Sequence, residues 1–401
     1  MQKYKIVSDE LLHFDLKSFI IQNLNNFNTA FILKLSKVKL PFHYGWLADQ
    51  LQLYSKAQRK IPAFASVYCW FTPKSFEQSS GELSAFYKSG LFKGRKMLDL
   101  SAGLGVDDWA FSRSFQEVIS IDTDEELNKI VRHNFDKLGI NNIRRIAAKA
   151  EDFVKQDGTY DLIYIDADRR PNAQGKTFNL KDSSPDVFAI KTRLLELSDA
   201  VLVKASPLLD IDHCIKLIPE IVAIHVVSAE NEVKELLLLL NKKPAGMPEI
   251  KAVEIKSKEN IKTFKSAYRK TVTPGYAFEG KYFFEPSPAI IKSGLSKHYA
   301  EAMEVNMLAE NSHFYISDHL PDDFMGRRFK IIHQSAYKPA EITRYLKEEN
   351  IRKASISKRN FPLDVDELKT IFKLKDGGNN YLFFSRNKEN KKQFYHCVKT
   401  K

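Results

Sequence analysis

Between Lys96 and Asn241 the sequence keeps returning to short apolar runs rich in β-branched residues, and the stretches between them repeat apolar residues every three or four positions. MLDL (97–100), VISID (118–122), IRRIA (143–147), YDLIYID (160–166) and AVLVKAS (200–206) read as strands, while DDWAFSRSF, DEELNKIVRHNFDKLG and DVFAIKTRLLEL read as helices. Strands separated by helices can pair only through crossovers, so they form a parallel, doubly wound sheet. The series then breaks its own rule. IVAIHVV (221–227) and VKELLLLL (233–240) are separated only by SAENE, too short for a crossover helix, and must form an antiparallel hairpin. The expected fold class is α/β, a Rossmann-like sheet of five parallel strands plus an antiparallel C-terminal hairpin.

A chain of 401 residues exceeds the ~250–300 at which single cores stop growing, so further modules are expected. Residues 1–88 read as an N-terminal helical region punctuated by Pro41, Pro62 and Pro73, and 89–241 hold the sheet. Residues 242–330 read as a β-rich insertion, with a hairpin around SKEN, followed by an aromatic strand leading into a helix. Residues 331–401 alternate strand and helix again, close on the hairpin signal DGGNN, and carry 16 Lys and Arg against 8 Asp and Glu. That excess of eight is most of the net charge of +12, and it favours a polyanionic partner such as nucleic acid. Cys69, Cys214 and Cys397 have no close spacing, which excludes a disulfide framework or a zinc knuckle and fits a reducing compartment. No apolar run reaches the ~18 residues of a membrane helix, so a cytoplasmic protein without a membrane partner is expected.

The loop after the first strand, KMLDLSAGLGVDDWAF, fits either a dinucleotide or a phosphate-free donor. A pyrophosphate site wants three small positions, G-x-G-x-x-G/A, and a positive helix start. Here Gly103 and Gly105 are followed by Asp107 and Asp108, whose carboxylates would repel a pyrophosphate and attract a cationic ligand. A nicotinamide-linked oxidoreductase is therefore the weaker reading.

Five parallel strands closed by an antiparallel hairpin, with this loop after the first, resemble the class I methyltransferases that use S-adenosyl-L-methionine. The flanks FTPKSFEQSSGELSAFYKSGLF, FEPSPAIIKSGL, FMGRRF and SKRNFPLDVDELKTIFKLKDGGNNYLF resemble a bacterial family of such enzymes with a small ferredoxin-like segment and a C-terminal THUMP-like domain; the resemblance runs from about Gln52 onward. It implies a donor site built from Asp99 and Ser101 at the end of the first strand, Gly103, Gly105 and Asp107 in the loop, Asp122 and Thr123 for the ribose, and Ala150 and Glu151 for the adenine. Gly103 and Gly105 are expected to let the backbone approach the ligand.

For the acceptor, the fourth strand runs into Asp166-Ala167-Asp168-Arg169-Arg170, where base N-methyltransferases of this class carry an acid or amide, two prolines and an aromatic. The acid is kept, but the proline is Ala167 and no aromatic follows to stack on a base, which weighs against N-methylation of a base. Lys204, at the end of the fifth strand, faces Asp166 across the switch point and is a candidate base of lowered pKa, as in ribose 2′-O-methyltransferases, with Glu230 or Glu232 as acid partner. Asp168, Arg169 and Arg170 are candidates for acceptor phosphate binding, or for pairing with Asp182 or Asp186. Arg352, Lys353, Lys358 and Arg359, followed by Phe361, are candidates for RNA binding through charge and stacking. The expected activity is methyl transfer to RNA (tRNA or rRNA). The alternatives are a protein or small-molecule acceptor, or a non-catalytic protein that binds RNA and S-adenosylmethionine.

Overall fold

The computed structural model describes residues 7–169 and 183–400. The chain divides into two compact units. The first runs to Val222 and adds Glu235–Gly246 and Ser257–Glu259; the second holds Ala223–Lys234, Met247–Lys256 and everything from Asn260 onward.

The first unit opens with α1 (Asp9–Leu12), α2 (Leu16–Asn23), α3 (Thr29–Leu35), α4 (Gly45–Lys60), α5 (Pro62–Ser66), α6 (Pro73–Gln78) and α7 (Glu82–Ser89). Pro62 and Pro73 each occupy the first turn of a helix, where a missing N–H costs nothing, so these breaks in the sequence are helix starts. Ser8, Asp15, Asn28 and Thr72 cap the helices they precede, accepting from backbone N–H groups that would otherwise be unpaired. The alternating series follows: β1 (Gly94–Asp99), α8 (Val106–Phe111), β2 (Phe115–Asp122), α9 (Glu125–Lys137), β3 (Ile143–Ala147), α10 (Ala150–Phe153), β4 (Leu162–Asp166), a two-residue ladder of β5 (Asp168–Arg169) and β6 (Ser183–Ser184), α11 (Val187–Leu197), β7 (Ala200–Ala205) and α12 (Ile211–Leu217).

β3, β2, β1, β4 and β7 lie side by side in that order, all parallel. β8 (Ile221–Ala229) and β9 (Glu232–Asn241) complete the series, and β9 runs antiparallel to β7 from Ala200↔Asn241 to Ala205↔Leu236. Glu230 and Asn231, between these two strands, both take positive φ, as the central pair of a two-residue hairpin turn requires. Five parallel strands and an antiparallel closing strand are thus present. The run of leucines in β9 is explained by burial on both faces: Leu236, Leu237, Leu238 and Leu240 are all buried. The N-terminal helices share a core with the loop and helices of the sheet. Trp46, Leu51, Phe64 and Trp70 pack in one cluster with Leu104, Trp109, Val131 and Phe135.

In the second unit, the hairpin around SKEN forms from β10 (Glu249–Ile255) and β11 (Ile261–Ala267), closed by Lys256 N–H to Asn260 O at 3.0 Å. It does not stand alone, because β10 pairs in parallel with β8 from Ala223 to Ala229. A second sheet takes β12 (Tyr282–Pro286), β13 (Asn306–Met307), β14 (Tyr315–Ser317), β15 (Gly326–Ala336), β16 (Ser355–Lys358), β17 (Asn380–Arg386) and β18 (Lys392–Lys399), in the order β13-β14-β12-β15-β18-β17-β16. Its helices are α13 (Pro288–Lys292), α14 (Ser296–Ala302), α15 (Pro339–Glu348) and α16 (Val365–Phe372). Gly326 starts β15 at φ 127°, and a side chain there would lie 2.2 Å from Glu285 O, so only glycine fits the junction.

Candidate donor site and active site

A cavity of about 490 Å³ opens in the first unit where β1, β2 and β4 end, the edge at which open α/β sheets bind ligands. Each strand delivers a carboxylate to it: Asp99, Asp122 and Asp166. Asp99 Oδ1 accepts from Ser101 N–H at 2.8 Å and from Ser101 Oγ at 3.1 Å. Ser101 Oγ accepts in turn from Asp166 N–H at 2.5 Å, so one serine fixes the ends of β1 and β4 together. Asp122 shapes the loop: Oδ2 accepts from Gly103 N–H and Oδ1 from Asp124 N–H, both at 2.9 Å. Thr123, Ala150 and Glu151 line the same cavity.

Behind the loop, Asp108 is fully buried, accepts from Ser120 Oγ, and lies 3.4 Å from Arg145 Nη1. Asp99 and Asp108 are buried neighbours, so a charge on Asp108 disfavours a charge on Asp99. Burial, and then the neighbouring Asp108 charge, push Asp99 well above the usual carboxylate range. Burial raises Asp108 too, against the pull of Arg145.

The two glycines have different jobs. At Gly105 (φ 77°) a Cβ would sit 2.6 Å from Phe135 Cζ and 3.0 Å from Val131 Cγ1, so this glycine lets α9 pack against the loop. At Gly103 (φ 49°) the nearest atom to a Cβ is Ser101 O at 3.9 Å, leaving room beside the cavity. Both glycines line the cavity, and helix packing is a second constraint on Gly105 alone.

Asp107 lines the cavity but is held from behind. Lys88 Nζ lies 3.1 Å from Oδ1, while Ser80 Oγ and Tyr164 OH both donate to Oδ2 at 2.8 Å. Burial raises its pKa, but Lys88 and then Lys204 outweigh that, and the net direction is down. Lys88 is wholly buried and also holds Glu235 at 2.9 Å. Sequence reasoning missed Lys88, Ser80, Tyr164 and Glu235. The available signal was Glu235 itself, an acid directly before the apolar run Leu236 to Leu240, which once buried must find a cation.

The wall formed by Thr72 to Ser80 was also missed. Two buried amides position it. Asn134 bonds both the N–H and C=O of Trp70, each at 2.8 Å, and Gln50 does the same for Phe71 at 3.0 and 2.8 Å. The chain leaves this double clamp directly into α6.

At the other end of the cavity, Lys204 forms an ion pair with Asp166. Burial works to lower the lysine pKa, but Asp166, with Glu235 and Asp107 behind it, outweighs burial, and the pKa is raised. The expectation of a lysine with lowered pKa is thus reversed, because its site contains more negative charge than desolvation can offset. Glu230 and Glu232 both pair with Lys234, at 3.0 and 3.1 Å, so neither is the acid expected beside Lys204. Asp168 and Arg169 pair in register with Ser184 and Ser183; Arg170 and Asp182 lie outside the described residues. Asp186 caps α11 through Ala189 N–H at 3.1 Å, and its own N–H reaches Glu151 Oε1 at 3.4 Å.

In the second unit Arg352 and Lys353 are exposed and line a shallow cleft of about 450 Å³ with Asn350, Gly378 and Asn380. Lys358 reaches Phe361 O at 3.4 Å. Arg359 is not a surface cation: it donates to His313 O at 2.8 Å and Glu285 Oε1 at 3.1 Å and lies over the Phe314 ring. Phe361 is buried in the core with Phe372 and Phe384 and offers no stacking face. Both expectations fail because charge and ring were read from spacing alone, with no view of the acid on β12 or of the apolar layer beneath.

Three family models match the chain: a THUMP domain-like family over residues 326–399, a ferredoxin-like domain over 282–324, and conserved hypothetical protein 95 over 82–179. The crystal structure of a candidate methyltransferase from Porphyromonas gingivalis W83 is similar over 99% of this chain and 100% of that one, with 27% identity and a TM-score of 0.87. Two uncharacterized S-adenosylmethionine-dependent methyltransferases of Mycobacterium tuberculosis, from strains CDC 1551 and H37Rv, are 23% identical over 335 residues, 82% of this chain and 89% of each of theirs. The fold, the acid-ended strands and these likenesses make the chain a class I S-adenosylmethionine-dependent methyltransferase. More particularly, it is one that carries a ferredoxin-like segment and a THUMP-like domain after its catalytic sheet. Its cofactor is S-adenosyl-L-methionine, and the cavity suits it: of the described lining residues six are acidic and one is basic, a poor site for a pyrophosphate and a good one for a sulfonium and an ammonium group. No helix among the described residues is long and apolar enough to cross a membrane.

Proposed function

We propose that this methyltransferase acts on RNA, with the donor site in the 89–241 domain and the RNA held by the 331–401 domain, in the cytoplasm. The observation that carries the reading is the cleft of the THUMP-like domain. Arg352 and Lys353 line it without an acidic partner among the described residues, and no acid lines it beside them. Asn380 Oδ1 is engaged with His396 Nε2 at 2.9 Å, so the amide nitrogen is the part of this side chain left for a ligand. A cleft of hydrogen-bond donors in a domain with twice as many basic as acidic residues suits a phosphate backbone.

When bound, S-adenosylmethionine supplies an electrophilic methyl group. Asp99 would hold its ammonium, Asp122 its ribose hydroxyls, and Ala150 with Glu151 its adenine. Asp166 takes the acceptor. Fixed by Lys204 on one side and by Ser101 through its backbone, it accepts a hydrogen bond from the acceptor nucleophile and orients the attacking lone pair. The ion pair with Asp166 favours the charged form of Lys204, which argues against it as the base for a ribose hydroxyl. An amine nitrogen of a base needs no such deprotonation before attack, and the paired lysine therefore favours nitrogen over ribose oxygen. The test is nucleoside mass spectrometry of RNA from the source organism with and without the gene: one N-methylated nucleoside is expected to disappear. Loss of a 2′-O-methylated nucleoside would overturn the nitrogen assignment, and an unchanged profile would overturn the RNA reading.

A further inference from the structure

Among the described residues lining the donor cavity Asp99, Asp107, Asp122, Asp124, Glu151 and Asp166 are acidic, and Lys74 on α6 is the single cation. The donor carries one carboxylate, on its methionine moiety, which the ionised acids among these repel. The hydroxyls of the α6 wall are already committed. Thr72 Oγ1 is bonded to Ser75 Oγ at 2.7 Å, Ser79 Oγ donates to Phe76 O at 2.9 Å, and Ser80 Oγ donates to Asp107 Oδ2 at 2.8 Å. Lys74 is exposed and has no hydrogen-bond or ion-pair partner among the described residues.

Its support is rigid. The double clamp on Trp70 and Phe71 fixes the approach to α6, and Lys60 Nζ donates to Phe76 O at 2.6 Å and Glu77 O at 3.1 Å at the far end. Ser80, which ends this wall, bonds Asp107 in the loop that follows Asp99. The wall is therefore tied to the end of the cavity where Asp99 receives the ammonium, and the methionine carboxylate is attached to the same carbon as that ammonium. We propose that the Lys74 ammonium receives the carboxylate of the donor's methionine moiety, making α6 a part of the donor site.

Lys74 is exposed, so substitutions are expected to leave the melting temperature unchanged. Calorimetry on the full chain without acceptor, comparing S-adenosylmethionine with its decarboxylated analogue, separates the carboxylate from every other donor group. Wild type is expected to bind S-adenosylmethionine roughly tenfold more tightly than the analogue, as one charge-assisted contact allows. Lys74→Ala should erase that difference by weakening S-adenosylmethionine alone, and Lys74→Arg should largely keep it. Equal weakening of both ligands, or no weakening of either, overturns the proposal. So does a loss of RNA affinity with donor affinity intact, which would place Lys74 on the acceptor side.

Discussion

Lys88→Met is the most informative single change in the sheet unit. It preserves the length of an aliphatic stem and removes one charge from a place with no water. Lys88 side-chain exposure is 0%, that of Glu235 is 3% and that of Asp107 is 12%. Breaking a buried pair by removing one partner costs about 3–5 kcal/mol, because the remaining charge is left uncompensated. Two acids are stranded here, so the upper half of that range is expected at neutral pH. The loss should shrink as pH falls, and the sign follows from Asp107. Its folded pKa is lowered, chiefly by Lys88 against burial, so it contributes stability that is present above its unfolded pKa and lost as pH falls through the folded value. Without Lys88 that contribution is gone, and the wild-type and variant curves must converge in acid. Urea unfolding followed by tryptophan fluorescence reads this unit alone, since Trp46, Trp70 and Trp109, its three tryptophans, are all buried there. Adding Glu235→Gln should recover part of the loss by removing one stranded charge. A Lys88→Met protein within ~0.5 kcal/mol of wild type, the size of an ordinary surface substitution, or a gap that ignores pH, would refute the reasoning.

Gly103→Ala should lose donor affinity at a stability cost of about 1 kcal/mol from its positive φ alone, and Gly105→Ala should be destabilised by about 2 kcal/mol or more, because the clash with Phe135 adds to the same strain; thermal melting with calorimetry distinguishes the two. Donor affinity should rise with pH, because the raised Asp99 pKa means that its proton must leave before an ammonium is fully accepted; calorimetry in two buffers of different ionisation enthalpy should show proton release, and an affinity flat in pH would contradict the raised pKa. Asp166→Ala should leave donor affinity within a few fold and cut turnover by about a hundredfold or more. Lys204→Met should lower turnover by loosening Asp166, and the wild-type rate should show no rise with pH attributable to lysine deprotonation near neutrality. Reversing the charges of Arg352 and Lys353 should weaken RNA binding and flatten its salt dependence by roughly 0.7 log unit for each single-strand phosphate that is no longer neutralised; equal slopes would remove these residues from the interface.

The sheet was legible because it is written in local patterns. β3 matches its sequence reading at both ends, Ile143–Ala147, and the antiparallel pair was forced by five residues of connection. Asp99, Asp122 and Asp166 were legible for the same reason, since a strand end is also a place in space. What escaped depends on partners distant in sequence. Lys88 meets Glu235 across 147 residues and Asn134 clamps Trp70 across 64, and no spacing rule connects such partners. Arg359 was misread by the same blindness, its partner Glu285 lying 74 residues away. Lys204 was placed correctly and given the wrong proton affinity, because burial was visible in the strand pattern and the surrounding acids were not. Gly105 lines the cavity as expected, but its second constraint, the approach of Phe135 on α9, the second helix after the loop, was not legible.

Transfer of labelled methyl groups from S-adenosyl-[methyl-³H]methionine is the most direct test of RNA methylation, using the purified full chain and two RNA pools, one from the source organism and one from the same organism lacking the gene. RNA that has never met the enzyme should take up label, RNA already methylated should take up little, and Asp122→Ala and Asp166→Ala proteins should transfer none above background. A wild-type protein that binds the donor by calorimetry but labels neither pool would contradict the RNA assignment and leave a methyltransferase of some other acceptor.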